Sequence, residues 1–223
     1  GSGKTKVLTS RIAHIIKEKK AFPNQILSVT FTNKAAKEMQ IRVSSILNSD
    51  AIGLSWLGTF HSICAKLLRK HAPAAGLTSN FTIIDTDDQV RLIKNICRAE
   101  SIDIKQLAPK YILSIIDRWK NKGFYPNEVI INKNDIYEKT VLPLYKIYQQ
   151  KLLDLNACDF GDLILHVVKI LERNLDIREI YSNNFKYILV DEYQDTNYIQ
   201  SRWLYLLSEK HKNLCCVGDD DQS

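Results

Sequence analysis

The chain has 223 residues, long enough to bury a core as one large domain or two small ones. Hydrophobic residues are 45% and charged residues 25%, an ordinary globular mix with no repeat or low-complexity segment and no run apolar enough to cross a membrane as a helix. The formal net charge of +6 favours a polyanionic partner, and five cysteines without a C-x-x-C pair suit reduced thiols and a cytoplasmic setting.

In chain order, Val7 to Lys20 carries Leu8, Ile12, Ile15 and Ile16 at helical spacing and ends in a basic run. Pro23-Asn24 breaks it, and Ile26 to Phe31 reads as a buried strand ending in polar Thr32-Asn33. A helix is predicted over Lys34–Leu47, a strand over Leu54–Thr59 and a helix over Ser62–His71. This alternation predicts an α/β fold with a parallel sheet flanked by helices. From Asp85 to Leu155 only helical periodicity remains, as in Ile93, Ile96 and Cys97, then Ile112, Ile116 and Trp119, then Tyr145, Tyr148 and Leu152. Strand character returns at Tyr187–Val190 and Leu214–Val217, with helices over Phe160–Asn174 and Ile199–Lys210. Cys215 and Cys216, in an apolar run, are expected to be buried strand residues. The expected organisation is an α/β domain over 1–84 and 156–223, interrupted by an all-helical subdomain over 85–155.

Two segments carry phosphate chemistry. Gly1-Ser2-Gly3-Lys4-Thr5 is the second half of G-x-x-x-x-G-K-[ST]. Gly1, Ser2 and Gly3 would turn backbone N–H groups onto a phosphate, Lys4 would reach the outer phosphates, and the Thr5 hydroxyl would ligate Mg²⁺. A short motif of this kind is also compatible with chance or a cloning scar. The partner segment is the apolar strand Tyr187-Ile188-Leu189-Val190 ending in Asp191-Glu192. Asp191 would hold Mg²⁺ and Glu192 would deprotonate the attacking water of an ATP hydrolysis. A surface Asp-Glu after a strand is the bland alternative.

Asp191-Glu192-Tyr193-Gln194-Asp195-Thr196-Asn197 resembles motif II of the UvrD/Rep family of superfamily 1 DNA helicases. Four further segments agree with that family in order: Gly3-Lys4-Thr5 with the end of motif I, Thr30 to Met39 with motif Ia, Gly58-Thr59-Phe60-His61-Ser62 with the next DNA-contacting motif, and Val217 to Ser223 with the start of motif III. The resemblance implies a RecA-like P-loop motor domain, ATP and Mg²⁺, and 3′ to 5′ movement on single-stranded DNA and at junctions with duplex. It implies DNA contact through Phe31, Thr32, Asn33, Thr59 and His61, and a γ-phosphate contact by Gln222 that links hydrolysis to movement. Read residue by residue, Phe31 offers a face for a base and Thr32, Asn33, Thr59 and His61 offer groups for a phosphate, while Phe31 could equally be core and Asn33 a helix cap.

One segment departs from the family pattern. Asp159-Phe160-Gly161-Asp162-Leu163 stands where Asp-Phe-Asp-Asp-Leu is common, and with one carboxylate fewer a structural role is expected. The chain opens on a motif without an initiating Met, so it is expected to be part of a longer protein; the resemblance implies that this protein serves DNA repair or replication and has a second motor domain that carries the arginine fingers. Alone it is expected to hydrolyse little ATP. Two rival readings stay open, a RecB-like helicase–nuclease motor and a non-catalytic single-stranded DNA-binding module.

Overall fold

The computed structural model describes residues 3–48 and 53–219. The elements are α1 (Gly3–Lys17), β1 (Ile26–Thr30), α2 (Asn33–Leu47), β2 (Leu57–Thr59), α3 (Phe60–His71), β3 (Thr82–Ile83), α4 (Thr86–Ala99), α5 (Pro109–Asn121), α6 (Ile136–Asp154), β4 (Ala157–Cys158), α7 (Phe160–Arg173), α8 (Leu175–Asn184), β5 (Tyr187–Val190), α9 (Tyr198–Ser208) and β6 (Leu214–Cys216). They form two compact units, one of 1–66, 170–196 and 200–223, the other of 67–169 and 197–199.

The first unit is built on a parallel sheet in the order β2-β1-β5-β6. Every residue of β1 is buried, as a strand covered on both faces requires. Leu8, Ile12 and Ile15 of α1 pack with Met39 and Val43 of α2, Ile26 of β1 and Leu189 of β5. Because the strands are parallel, the loops leaving β1, β2, β5 and β6 emerge at the same end of the sheet. In register, Thr30 of β1 faces Thr59 of β2 and Val190 of β5 faces Cys216 of β6.

Several expectations change. The predicted strand over Leu54–Thr59 shortens to Leu57–Thr59, with Leu54 and Trp56 buried ahead of it and the Trp56 carbonyl still accepting from Ser28 N at 2.9 Å. Cys215 is only half-buried and Cys216 is exposed. The reason is position: β6 is the last strand of the sheet, and no strand among the described residues covers its outer edge. Helix α8 has no counterpart in the sequence reading: of its apolar residues Leu175, Ile177, Ile180 and Tyr181 only Tyr181 is buried, so no apolar stripe marks it.

The second unit has its own core. Ile93, Ile96, Ile112, Ile116, Trp119, Tyr145, Tyr148 and Leu152 from α4, α5 and α6 are all buried together. The unit is wider than 85–155 and includes the short parallel pair β3–β4, with Ile83 opposite Cys158. Inside it Lys120 is fully buried, its ammonium 2.6 Å from Asp159 Oδ2 and 2.8 Å from Asp162 Oδ1. Tyr148 Oη and Gln89 Nε2 also donate to Asp159, and Gln149 Nε2 donates to Asp162. Asp159 and Asp162 accept from each other's backbone N–H at 2.8 and 3.1 Å, a reciprocal cap at the start of α7. Gly161 lies between them, and a Cβ there would sit 3.1 Å from Lys120 Cδ. Burial works to raise the Asp162 carboxyl, but Lys120 and His166 outweigh it and hold it below its ordinary range. Cys158, Asp162 and His166 bring one metal-capable atom each within 4.8 Å, but Asp162 Oδ1 already accepts from Lys120 and Gln149. A cation there would meet the Lys120 ammonium, so the cluster is a core ion-pair network.

Candidate functional site: a carboxylate cluster and a polar surface at the strand ends

Helix α1 starts at Gly3, so Lys4 and Thr5 lie in its first turn, where free N–H groups and the helix dipole favour an anion. The Thr5 hydroxyl donates to Asp191 Oδ2 at 3.2 Å across 186 residues of sequence. Asp191 leaves the end of β5 buried, with its N–H on the Val29 carbonyl. Burial raises its carboxyl above the ordinary value, the Glu192 charge adds to this, and the hydrogen bonds from Glu192 N and Thr5 pull the other way. Lys4 Nζ lies 2.9 Å from Asp219 Oδ2, just past β6. Gly1, Ser2 and Gln222 fall outside the described residues.

Glu192 has a left-handed backbone, φ 52° and ψ 46°, which turns the chain sharply after the strand. Its side chain meets the Gln194 amide, whose Nε2 donates to Glu192 Oε2. Gln194 Oε1 accepts from Asp219 N at 3.0 Å, and Tyr193 N donates to the Val217 carbonyl at 2.9 Å. The loops after β5 and β6 are thus stitched together. Gly218 permits the approach: a Cβ there would come within 2.4 Å of Gln194 Oε1. Gly3 and Lys6 also border an open groove of about 700 Å³ between α1 and α2.

The second group lies at the ends of β1 and β2. Thr32, not Asn33, caps α2, its hydroxyl accepting from Ala35 N at 3.1 Å, while Asn33 opens the helix exposed. Thr59 is buried, and its hydroxyl accepts from Ser62 N at 3.1 Å while Ser62 Oγ accepts from Thr59 N. Phe31 is half-buried, its ring 5.2 Å from the buried Phe60 ring, which in turn packs on Trp203 at 5.8 Å. His61 is half-buried, and burial lowers its pKa. Phe31, Asn33 and His61 therefore follow neighbouring strands at one end of the sheet, whereas the Thr59 hydroxyl is occupied in building the start of α3.

The sequence reading missed two participants. Asp219 was a motif residue without a partner, and Gln194 was one letter of motif II; only three-dimensional proximity reveals what they join. The Lys120 network was likewise unforeseen, since a lysine on a helix ordinarily reads as solvent-facing.

A family model described as the UvrD/REP helicase N-terminal domain matches residues 1–223. The chain is 49% identical over 226 residues to a probable DNA helicase II homolog of Rickettsia conorii, covering all of this chain and 34% of that protein. It is 46% identical over 223 residues to the ATP-dependent DNA helicase PcrA of Staphylococcus epidermidis and 44% identical to that of Staphylococcus aureus, again over its whole length and 30% of theirs. The chain thus spans about a third of the length of these relatives.

Proposed function

Since the chain belongs to the UvrD/REP helicase N-terminal domain family, we propose that it is the RecA-like, ATP-binding part of a motor that moves 3′ to 5′ along single-stranded DNA and opens duplex at junctions. The observation that carries this is the meeting of Thr5 with Asp191 and of Lys4 with Asp219 at one end of a parallel sheet, with Glu192 next to Asp191 in the chain. Ligands of open α/β sheets gather at such strand ends. In this reading the N-terminus of α1 and Lys4 bind the triphosphate of ATP. The unit holding α4, α5 and α6 is the helical insertion of the motor, and Phe31, Thr32, Asn33, Thr59 and His61 form the DNA side, with Thr59 acting through the turn that it builds.

The residues fit Mg²⁺. Thr5 Oγ1 and Asp191 Oδ2 are 3.2 Å apart, close to the roughly 3 Å between neighbouring ligands of an octahedral ion bound at about 2.1 Å. When bound there, Mg²⁺ would neutralise charge on the phosphates. Glu192 accepts the proton of the attacking water, and Lys4 binds the charge that develops on the outer phosphate. Arginines from a second motor domain would complete the site, and Gln222 would contact the γ-phosphate.

The test uses the full-length protein, with phosphate release measured with and without single-stranded DNA. Wild type turns over ATP and is stimulated by DNA. Glu192→Gln keeps nucleotide affinity and loses about 10²- to 10⁴-fold in rate, the usual contribution of a general base. Wild-type turnover by that variant would remove Glu192 from the chemistry. A nuclease activity in the same protein would favour the RecB-like reading instead.

A further inference from the structure

The loop after β5 and the loop after β6 meet through one side chain. Gln194 has two functional atoms, and each is engaged: the amide nitrogen on Glu192 Oε2, the amide oxygen on the N–H of Asp219. Both partners select the same orientation of the amide, because only its nitrogen can face a carboxylate and only its oxygen an N–H, and together they hold it at both ends. Asp219 is in turn the residue whose carboxylate holds Lys4. A continuous chain of polar contacts therefore runs Lys4, Asp219, Gln194, Glu192. Gly218 adds steric confinement, since its hydrogen faces Gln194 Oε1 where a methyl group would not fit.

We propose that Gln194 is a positioning residue for ATP hydrolysis: its amide aims the Glu192 carboxylate and ties that aim to the end of β6, so that a change at Lys4 and Asp219 reaches the base. The proposal rests on the reading of Glu192 as the base. It assigns Gln194 no contact with nucleotide or DNA. A phosphate arriving at Lys4 competes with the Asp219 carboxylate, and the Asp219 N–H carries any resulting shift of the β6 end to the amide. The amide oxygen reports where β6 ends, and the amide nitrogen sets which Glu192 oxygen is left to face water.

The experiment compares Gln194→Ala and Gln194→Glu with wild type and Glu192→Gln in the full-length protein. Nucleotide affinity is measured by fluorescent-nucleotide titration, and hydrolysis by single turnover between pH 5 and 9. Both Gln194 variants should bind nucleotide within about threefold of wild type, since Lys4, Thr5 and Asp191 are untouched, and should lose about 10- to 100-fold in hydrolysis, the worth of a hydrogen bond to a charged group. Gln194→Glu separates positioning from packing. It keeps an acceptor for Asp219 N–H and places a second carboxylate against Glu192, so the acid limb of its pH–rate profile should move up by about one unit or more. Unchanged hydrolysis in both variants overturns the proposal. So does a loss of rate with an unmoved limb, which would mark Gln194 as packing only. Wild-type turnover by Glu192→Gln would instead bring down the reading of the base, and the proposal with it. Should the Gln194 variants fold poorly, Gly218→Ala displaces the amide without changing its chemistry. It should slow hydrolysis about 10-fold or more with nucleotide affinity kept within about threefold, and wild-type hydrolysis by Gly218→Ala would overturn the proposal.

Discussion

Lys4 and Asp219 form an ion pair at 2.9 Å, although one opens the first helix and the other follows the last strand. The lysine that would bind phosphate is thus held by a carboxylate in the position an anionic ligand would compete for. Asp219→Asn removes the competitor and keeps the N–H that Gln194 accepts. Both side chains are partly exposed, so the pair is worth about 0.2–1 kcal/mol and nucleotide should bind up to about fivefold more tightly. Titration at low and high salt checks this, with the gain shrinking as salt rises. Weaker binding in the variant would show that Asp219 supports the ligand and does not compete with it.

Phe31 offers the aromatic face beside β1 and β2. Phe31→Ala should weaken single-stranded DNA binding by about 1–3 kcal/mol, the range for loss of one stacked base. Since Phe31 is neutral, the slope of log affinity against log salt should stay as in wild type. Fluorescence anisotropy across a salt series reads both. A steeper or shallower slope would mean that the substitution disturbs phosphate contacts as well.

The buried pairing of Lys120 with Asp159 and Asp162 predicts a strong asymmetry between single and combined changes. Lys120→Met leaves two buried carboxylates facing each other and should cost about 3–5 kcal/mol. Replacing both acids by Asn in the same variant should restore much of that loss. Urea midpoints of the three proteins decide it. Equal stability of Lys120→Met and wild type would mean that the carboxylates escape to solvent.

Asp117 has its carboxyl pushed up to about 6, by desolvation first and by the Asp159 charge next. A folded pKa above the ordinary 3.8 means that the folded state holds the proton more tightly. Its contribution to stability is full below the unfolded value and is lost as pH rises through about 6. Asp117→Asn should therefore flatten the fall in melting temperature between these pH values and raise stability at pH 7. Desolvation is only partial, since the residue as a whole stays exposed, so solvent screening should keep the gain under about 1 kcal/mol. A melting series from pH 4 to 8 reads the difference.

What the sequence made legible was what repeats locally. Leu8, Ile12 and Ile15 announce the buried stripe of α1, and the unbroken apolar run of β5 announces a covered strand. The Thr5–Asp191 meeting was also legible, because a parallel sheet leaves few places for the two motifs. Cys216 was misread because an apolar run fixes strand character but not position within the sheet. Asn33 was read as a possible cap where its neighbour Thr32 takes that role, since one residue of shift leaves the local composition unchanged. Lys120, Gln194 and Asp219 were illegible for a different reason: each owes its role to partners far along the chain, and no periodicity encodes such a pairing.

The left-handed backbone at Glu192, φ 52°, sets the demands of folding against those of chemistry. A side chain there costs about 1–2 kcal/mol that glycine would avoid and asparagine would lessen. Selection for a more heat-resistant protein, with activity left unscreened, should therefore return glycine or asparagine at this position. Such a variant would fold more firmly and do less work, and the 192nd residue becomes a place where thermostability and turnover must be traded against each other.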